Sequence, residues 1–149
     1  MSQDDTELLR LNARRFFDSL KLVQASVEGT PPYDPSADYS PKELEPYDAL
    51  SDRFVRSVET AIRFLRSYER FLEGEIGANL RDTLNSMEKR GIVTSTDMWM
   101  DMRDVRNRIV HHYAPEQMAR LQSDIRGPFF QEPRHLRTEM SAVEVIDDA

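Results

Sequence analysis

The chain has 149 residues, 39% of them hydrophobic and 32% charged, and its 20 Lys and Arg against 27 Asp and Glu give a formal charge of −7. One domain of this length buries roughly 70% of its unfolded surface, and the acidic balance argues against a surface that coats nucleic acid indiscriminately. With no cysteine the chain has neither disulfides nor thiol chemistry, which fits a cytoplasmic location; no window approaches the roughly 20 apolar residues of a membrane span, and the acidic start Met1-Ser2-Gln3-Asp4-Asp5 is unlike a signal peptide.

Few glycines and no alternating β-branched runs predict an all-α domain. A first helix is expected from about Asp4 to Val27, with Leu9, Phe16, Leu20, Val23 and Val27 near one face. Gly29 ends it. The stretch Thr30-Pro31-Pro32-Tyr33-Asp34-Pro35 cannot continue a helix, because proline removes a donor and restricts its predecessor, so residues 29–47 read as a Pro-rich linker. Ser40-Pro41-Lys42-Glu43 has the cap, the N1 proline and the first-turn acid of a helix start, but Pro46 should limit it to a short turn.

A second helix follows from about Asp48 to Glu73, striped with Phe54, Val58, Ala61, Ile62, Leu65, Tyr68 and Leu72. Gly74 and Gly77 make a hinge into a third, about Ala78 to Lys89, stopped at Gly91. Thr94-Ser95-Thr96-Asp97 offers caps for a fourth, about Asp97 to Tyr113, with Trp99, Met102, Val105, Ile109 and Val110 inward. A fifth runs from Pro115 to Ile125 and closes at Gly127-Pro128. Residues 128–149 read as an acidic, weakly structured tail, with at most a short partner-binding helix from Thr138 to Ile146. The expected architecture is therefore a four- to five-helix up-and-down bundle over residues 1–127.

Chemistry concentrates in Arg103-Asp104-Val105-Arg106-Asn107-Arg108-Ile109-Val110-His111-His112-Tyr113. Arg106 offers planar, permanently charged donors for phosphate, and His111 can exchange a proton near neutral pH. On an ideal helix with Arg106 at zero, Tyr113 lies near −20°, Val110 near 40°, Asn107 near 100°, His111 near 140° and His112 near −120°. Arg106 and His111 thus point apart, which favours a composite site completed by a second copy of the helix across a two-fold axis. In such a site His111 could take the proton of an RNA 2′-hydroxyl, Arg106 could hold the phosphate oxygens, and the twin His111 could protonate the departing 5′-oxygen. Asn107 would orient His111 or the phosphate. Arg103, Arg108 and His112 are candidate substrate-binding groups beside them. Bland readings compete: a helical Arg usually pairs with an acid, and a His near a helix C-terminus often only complements the dipole. Three histidines at positions 111, 112 and 135 do not make a zinc site, so neither metal nor cofactor is expected.

The run Arg106 to Tyr113 resembles the signature of the HEPN superfamily and, more narrowly, the Arg-x4-His-x-Tyr motif of the toxins in HEPN/MNT toxin–antitoxin pairs. Trp99 and Tyr113-Ala114-Pro115-Glu116 agree with that style; the motif-bearing match covers about Asp97 to Leu121. The resemblance implies a homodimeric, metal-independent endoribonuclease with Arg106 and His111 catalytic and Asn107 accessory. It also implies an MNT-type nucleotidyltransferase antitoxin as partner, able to modify Tyr113 with AMP. The alternative expectation is a HEPN-like subunit that binds a nucleotidyltransferase or its substrate and performs no catalysis. A purely structural dimeric bundle is the third.

Overall fold

The computed structural model describes residues 2–112 and 114–146, and these are helical with no strand among them. The helices are α1 (Gln3–Gly29), α2 (Pro41–Glu73), α3 (Leu80–Lys89), α4 (Thr96–Arg103), α5 (Val105–His111), α6 (Pro115–Asp124) and α7 (Phe130–Met140). Because α4 and α5 abut, and a single π-type turn at Ile125–Phe129 joins α6 to α7, they form five helical rods.

The long pair α1 and α2 is the frame. Asn12 Nδ2 donates to Ser67 Oγ at 2.6 Å, the Ser19 and Thr60 hydroxyls meet at 2.8 Å, and Arg53 Nη1 donates to Ser26 Oγ at 2.8 Å. As the residue number rises on α1 the partner on α2 falls, so the two run antiparallel. Between these polar rungs the apolar stripes interlock: Leu9, Ala13, Phe16 and Val23 of α1 are fully buried, as are Leu50, Ala61, Phe64 and Leu65 of α2. The frame is thus an extended amphipathic hairpin whose remaining apolar side is covered by the later helices.

Pro46 neither ends nor breaks α2. The helix starts at Ser40, which completes a capping box with Glu43, and passes through Pro46 without interruption. One missing donor near the start forfeits only the bond to the Lys42 carbonyl, and the ring is exposed. Burial of Tyr47, Leu50 and Phe54 directly beyond it outweighs that loss. The linker therefore shortens to residues 30–40, where Tyr33, Tyr39 and Tyr47 pack ring against ring at centroid distances of 5.0–5.4 Å.

The segment after 128 differs from its expected weakly structured state. Phe129, Phe130, Leu136, Met140 and Ile146 are buried in the core, and Glu132 accepts a hydrogen bond from the Thr94 hydroxyl. Gly127 leaves helical geometry (φ −111°, ψ −108°) and Pro128 sits in the π-type turn, yet the chain resumes as α7. Pro133 is tolerated because it lies in the first turn of α7, where backbone N–H groups need no intrahelical partner.

The expected fourth helix is two. At Asp104 (φ −76°, ψ −6°) the chain tightens: its N–H reaches the carbonyls of Met100 and Asp101, and its own carbonyl accepts from Asn107 and Arg108 to start α5. Trp99, Met102 and Val105 are buried as expected. Ile109 and Val110 are not, being 36% and 54% exposed. Tyr113 lies outside the described residues.

Candidate functional site

Two elements build the site: α2 forms one wall of a groove, and the α4–α5 pair forms the other. Burial of Met102 before the Asp104 break and of Val105 after it fixes the roll of both short helices. That roll turns Arg103, Arg106 and Asn107 toward α2, where with Val55, Glu59 and Arg63 they line a groove of about 510 Å³. Arg106 donates from Nη2 to Glu59 Oε1. Both side chains are about half exposed, so the pair stabilises the fold by about 0–1 kcal/mol. Neither Arg63 nor Arg103 has an acidic partner among the described residues. The groove thus sets three guanidinium groups against one carboxylate on a chain that is acidic as a whole.

Arg106 also borders a second hollow of about 360 Å³, lined by Asp48, Asp52, Val55, Val110 and Met118 among others. Arg106 and Val55 line both hollows, which therefore lie side by side, one basic and the other acidic and apolar.

The other expected residues separate. His111 is the last residue of α5, exposed, and lines neither hollow. Within one copy of the chain Arg106 and His111 do not converge, as the helical geometry predicts. His112 has left the helix in extended geometry (φ −100°, ψ 101°); its N–H bonds the Arg108 carbonyl, and its buried Nδ1 has no partner among the described residues. The charge of Arg108 is engaged elsewhere: its guanidinium lies 3.0 Å from Asp124 and 6.0 Å from the Phe129 ring, tethering α5 to α6 and the π-type turn. The Asn107 amide donates to Asp104 Oδ1 at 2.8 Å, so it braces the break between α4 and α5 instead of reaching His111.

Glu59 and Arg63 did not emerge from the sequence. They sit one turn apart on the solvent side of an amphipathic helix, where charge is ordinary. Their only available signal was position: both flank Val58 and Ile62 on the side of α2 that faces the motif helix. The tyrosine cluster was also missed. Burial, helped by the contact with Tyr39, pushes the Tyr47 phenol up to about 12, so it stays neutral and its role is to seal the linker over the bundle end. Among the described residues no cluster of His, Asp or Glu has the makings of a metal site, and no helix is long and apolar enough to cross a membrane.

The model of a family described as nucleotidyltransferase substrate binding protein like matches residues 16–142. The chain belongs to this family. The match runs from the middle of α1 through the motif helix to the end of α7, so the nucleotidyltransferase substrate binding protein-like family takes in all of α2 to α7, including most of the region beyond residue 128. No curated protein sequence matches the chain.

Proposed function

We propose that this chain is the partner subunit of a nucleotidyltransferase, and that two copies of it assemble a metal-independent endoribonuclease site. The family description supports the first part. One observation carries the second. On α5, with Arg106 at zero, exposed Val110 lies at about 40° and His111 at about 140°, so an uncovered apolar residue separates the two chemical groups. A twin helix seated on Val110 would exclude water there and bring each copy's His111 toward the other's Arg106.

In that arrangement neutral His111 accepts the 2′-hydroxyl proton, and the 2′-oxygen bonds to the adjacent phosphorus. Arg106, released from Glu59, takes the phosphate oxygens and stabilises the charge that builds as the pentacovalent species forms. The bond to the 5′-oxygen breaks, and the protonated His111 of the second copy supplies its proton, leaving a 2′,3′-cyclic phosphate. DNA lacks the nucleophile and is not cut. The nucleotidyltransferase acts as antitoxin by transferring AMP from ATP to Tyr113, the phenol oxygen bonding to the α-phosphorus as pyrophosphate leaves and the phenol proton is lost; the added phosphate then competes with RNA for Arg106. The HEPN resemblance of Arg106 to Tyr113 supports these assignments.

A second reading, a binding subunit without catalysis, is favoured by the closure of Glu59 on Arg106 and by the separation of His111 from both hollows. Incubating RNA with purified wild type, Arg106→Ala and His111→Ala in the presence of a chelator separates the two. Cleavage by the wild type alone is expected. Equal cleavage by all three, or none by any, removes the nuclease reading and leaves the binding subunit.

A further inference from the structure

The two adjoining hollows on either side of Arg106 differ in charge, and the residues that set the difference lie outside the Arg-x4-His motif. In one, Arg63 of α2 and Arg103 of α4 face the groove beside Arg106. In the other stand Asp48 and Asp52. Asp52 is itself paired with Arg56 at 3.0 Å, which leaves the Asp48 carboxylate facing that hollow. A polyanion is therefore drawn to the basic hollow and repelled from the other. A single scissile phosphate needs only Arg106; Arg63 and Arg103 leave two further guanidinium groups without acidic partners among the described residues.

Glu59 fits the same pattern. Its carboxylate oxygen meets Arg106 as a phosphate oxygen would, an anionic acceptor facing a guanidinium. The pair is half exposed and the Glu side chain is flexible, so displacement by a phosphate requires only a rotamer change. The carboxylate stands against Arg106, and Arg63 follows Glu59 by one helical turn on the same side of α2.

We infer that Arg63 and Arg103 bind the phosphates flanking the one held by Arg106 on a single RNA strand, and that Glu59 is the internal acid those phosphates displace. This rests on the ribonuclease reading for the identity of the strand, but its own content is the binding of consecutive phosphates. Phosphate contacts of this kind set the register of a strand without reading its sequence. Arg63 is thus a positioning residue for the strand, and Glu59 a threshold against weakly charged ligands.

The test is fluorescence anisotropy with a labelled single-stranded DNA oligonucleotide, which binds but lacks the 2′-hydroxyl and cannot be cut by this chemistry. Arg63→Ala is expected to weaken binding several-fold and to reduce the slope of log K against log salt by about 0.7, the loss of one phosphate contact. Arg63→Lys should restore the slope and part of the affinity. Glu59→Gln is expected to tighten binding several-fold, because the amide keeps the size and loses the charge. Each substitution is at an exposed position, and thermal melting checks that the bundle is intact. An unchanged salt slope in Arg63→Ala, weaker binding in Glu59→Gln, or no oligonucleotide binding by the wild type overturns the inference. The outcomes separate from those above: RNA cleavage lost in His111→Ala with no effect of Arg63 or Glu59 on binding sinks the groove alone. Anisotropy shifts as described without any RNA cleavage sink the nuclease alone.

Discussion

Arg106 and His111 are exposed on a short helix whose attachment depends on Val105 and Arg108. Replacing either is a surface change away from core and caps, for which stability moves within about 0.5 kcal/mol. Their proposed chemical roles are far larger in consequence: proton transfer by a placed imidazole contributes about 10²–10⁴-fold, and loss of a charge-stabilising donor costs a comparable factor. We therefore expect Arg106→Ala and His111→Ala to lose cleavage by at least about 10²-fold with an unchanged melting temperature, read by RNA electrophoresis beside circular dichroism. Parallel loss of activity and melting temperature would show instead that they hold the fold. At this scale helical angles foretold that Arg106 and His111 diverge within one copy. They could not assign Asn107 to Asp104, Arg108 to Asp124 or Arg106 to Glu59. Each of those partners is chosen by how two elements face each other.

Among the elements, three were legible in large part: α1 from its stripe, the body of α2 from Asp48 to its stop at the left-handed Gly74, and α3 up to Gly91, while the Ser40 start was read as a separate short turn. The differences cluster where a local rule met tertiary packing. Pro46 and Pro133 are each tolerated because they fall near a helix start, and the interruption at Asp104 carries neither Pro nor Gly to mark it. The turn from α2 into α3 shows what holds such junctions. Glu69 is buried and accepts from the Gly77 N–H at 2.7 Å and the Thr83 hydroxyl at 2.9 Å. A Cβ at Gly77 would come within 2.9 Å of Asp82 Cβ, so glycine lets the loop approach closely enough for that bond. Glu69→Ala leaves both donors unpaired and is expected to cost about 1–3 kcal/mol in urea denaturation. A second device is the capping box: backbone and hydroxyl hydrogen bonds from Ser40 hold the Glu43 carboxyl below its ordinary value of 4.5, and Ser86 with Arg90 does the same for Glu73. Because these folded-state values are depressed, their stabilisation is present above about pH 4.5 and is lost as pH falls through the lowered values. Glu43→Gln combined with Glu73→Gln should therefore flatten the acid side of the stability profile, measured by urea midpoints between pH 6 and pH 3 (roughly the carboxylate range). A profile as steep as that of the wild type would place the acid sensitivity elsewhere.

For the whole molecule, the question is what covers α5. Nearly every apolar stripe in the bundle ends in the core, yet the helix bearing the motif leaves Ile109 and Val110 in solvent. The sequence pattern placed them inward because it counted apolar spacing alone; Val105 at the start of α5 is buried, but Ile109, one turn further on, and Val110 are left uncovered by the described residues. If a twin α5 covers them, the same contact that buries the valine also joins Arg106 of one copy to His111 of the other, so association and cleavage must rise and fall together. Val110→Asp separates the possibilities, since Val110 is more than half exposed and a charge there leaves the core of a single copy untouched. Two like charges facing each other across a two-fold axis would oppose pairing strongly. Wild type should travel at twice the monomer mass in light scattering, and Val110→Asp at the monomer mass with an unaltered helical spectrum and no RNA cleavage. Mixing Arg106→Ala with His111→Ala supplies a further test. A mixed pair keeps one Arg106 but only one His111, so chemistry that uses the imidazoles of both copies predicts no recovery of activity on mixing. Full recovery would show that one His111 suffices and that the acid role given to its twin is wrong. Monomeric wild type that still cuts RNA would instead mean that a single chain completes the site, and the two-fold arrangement would have to be abandoned.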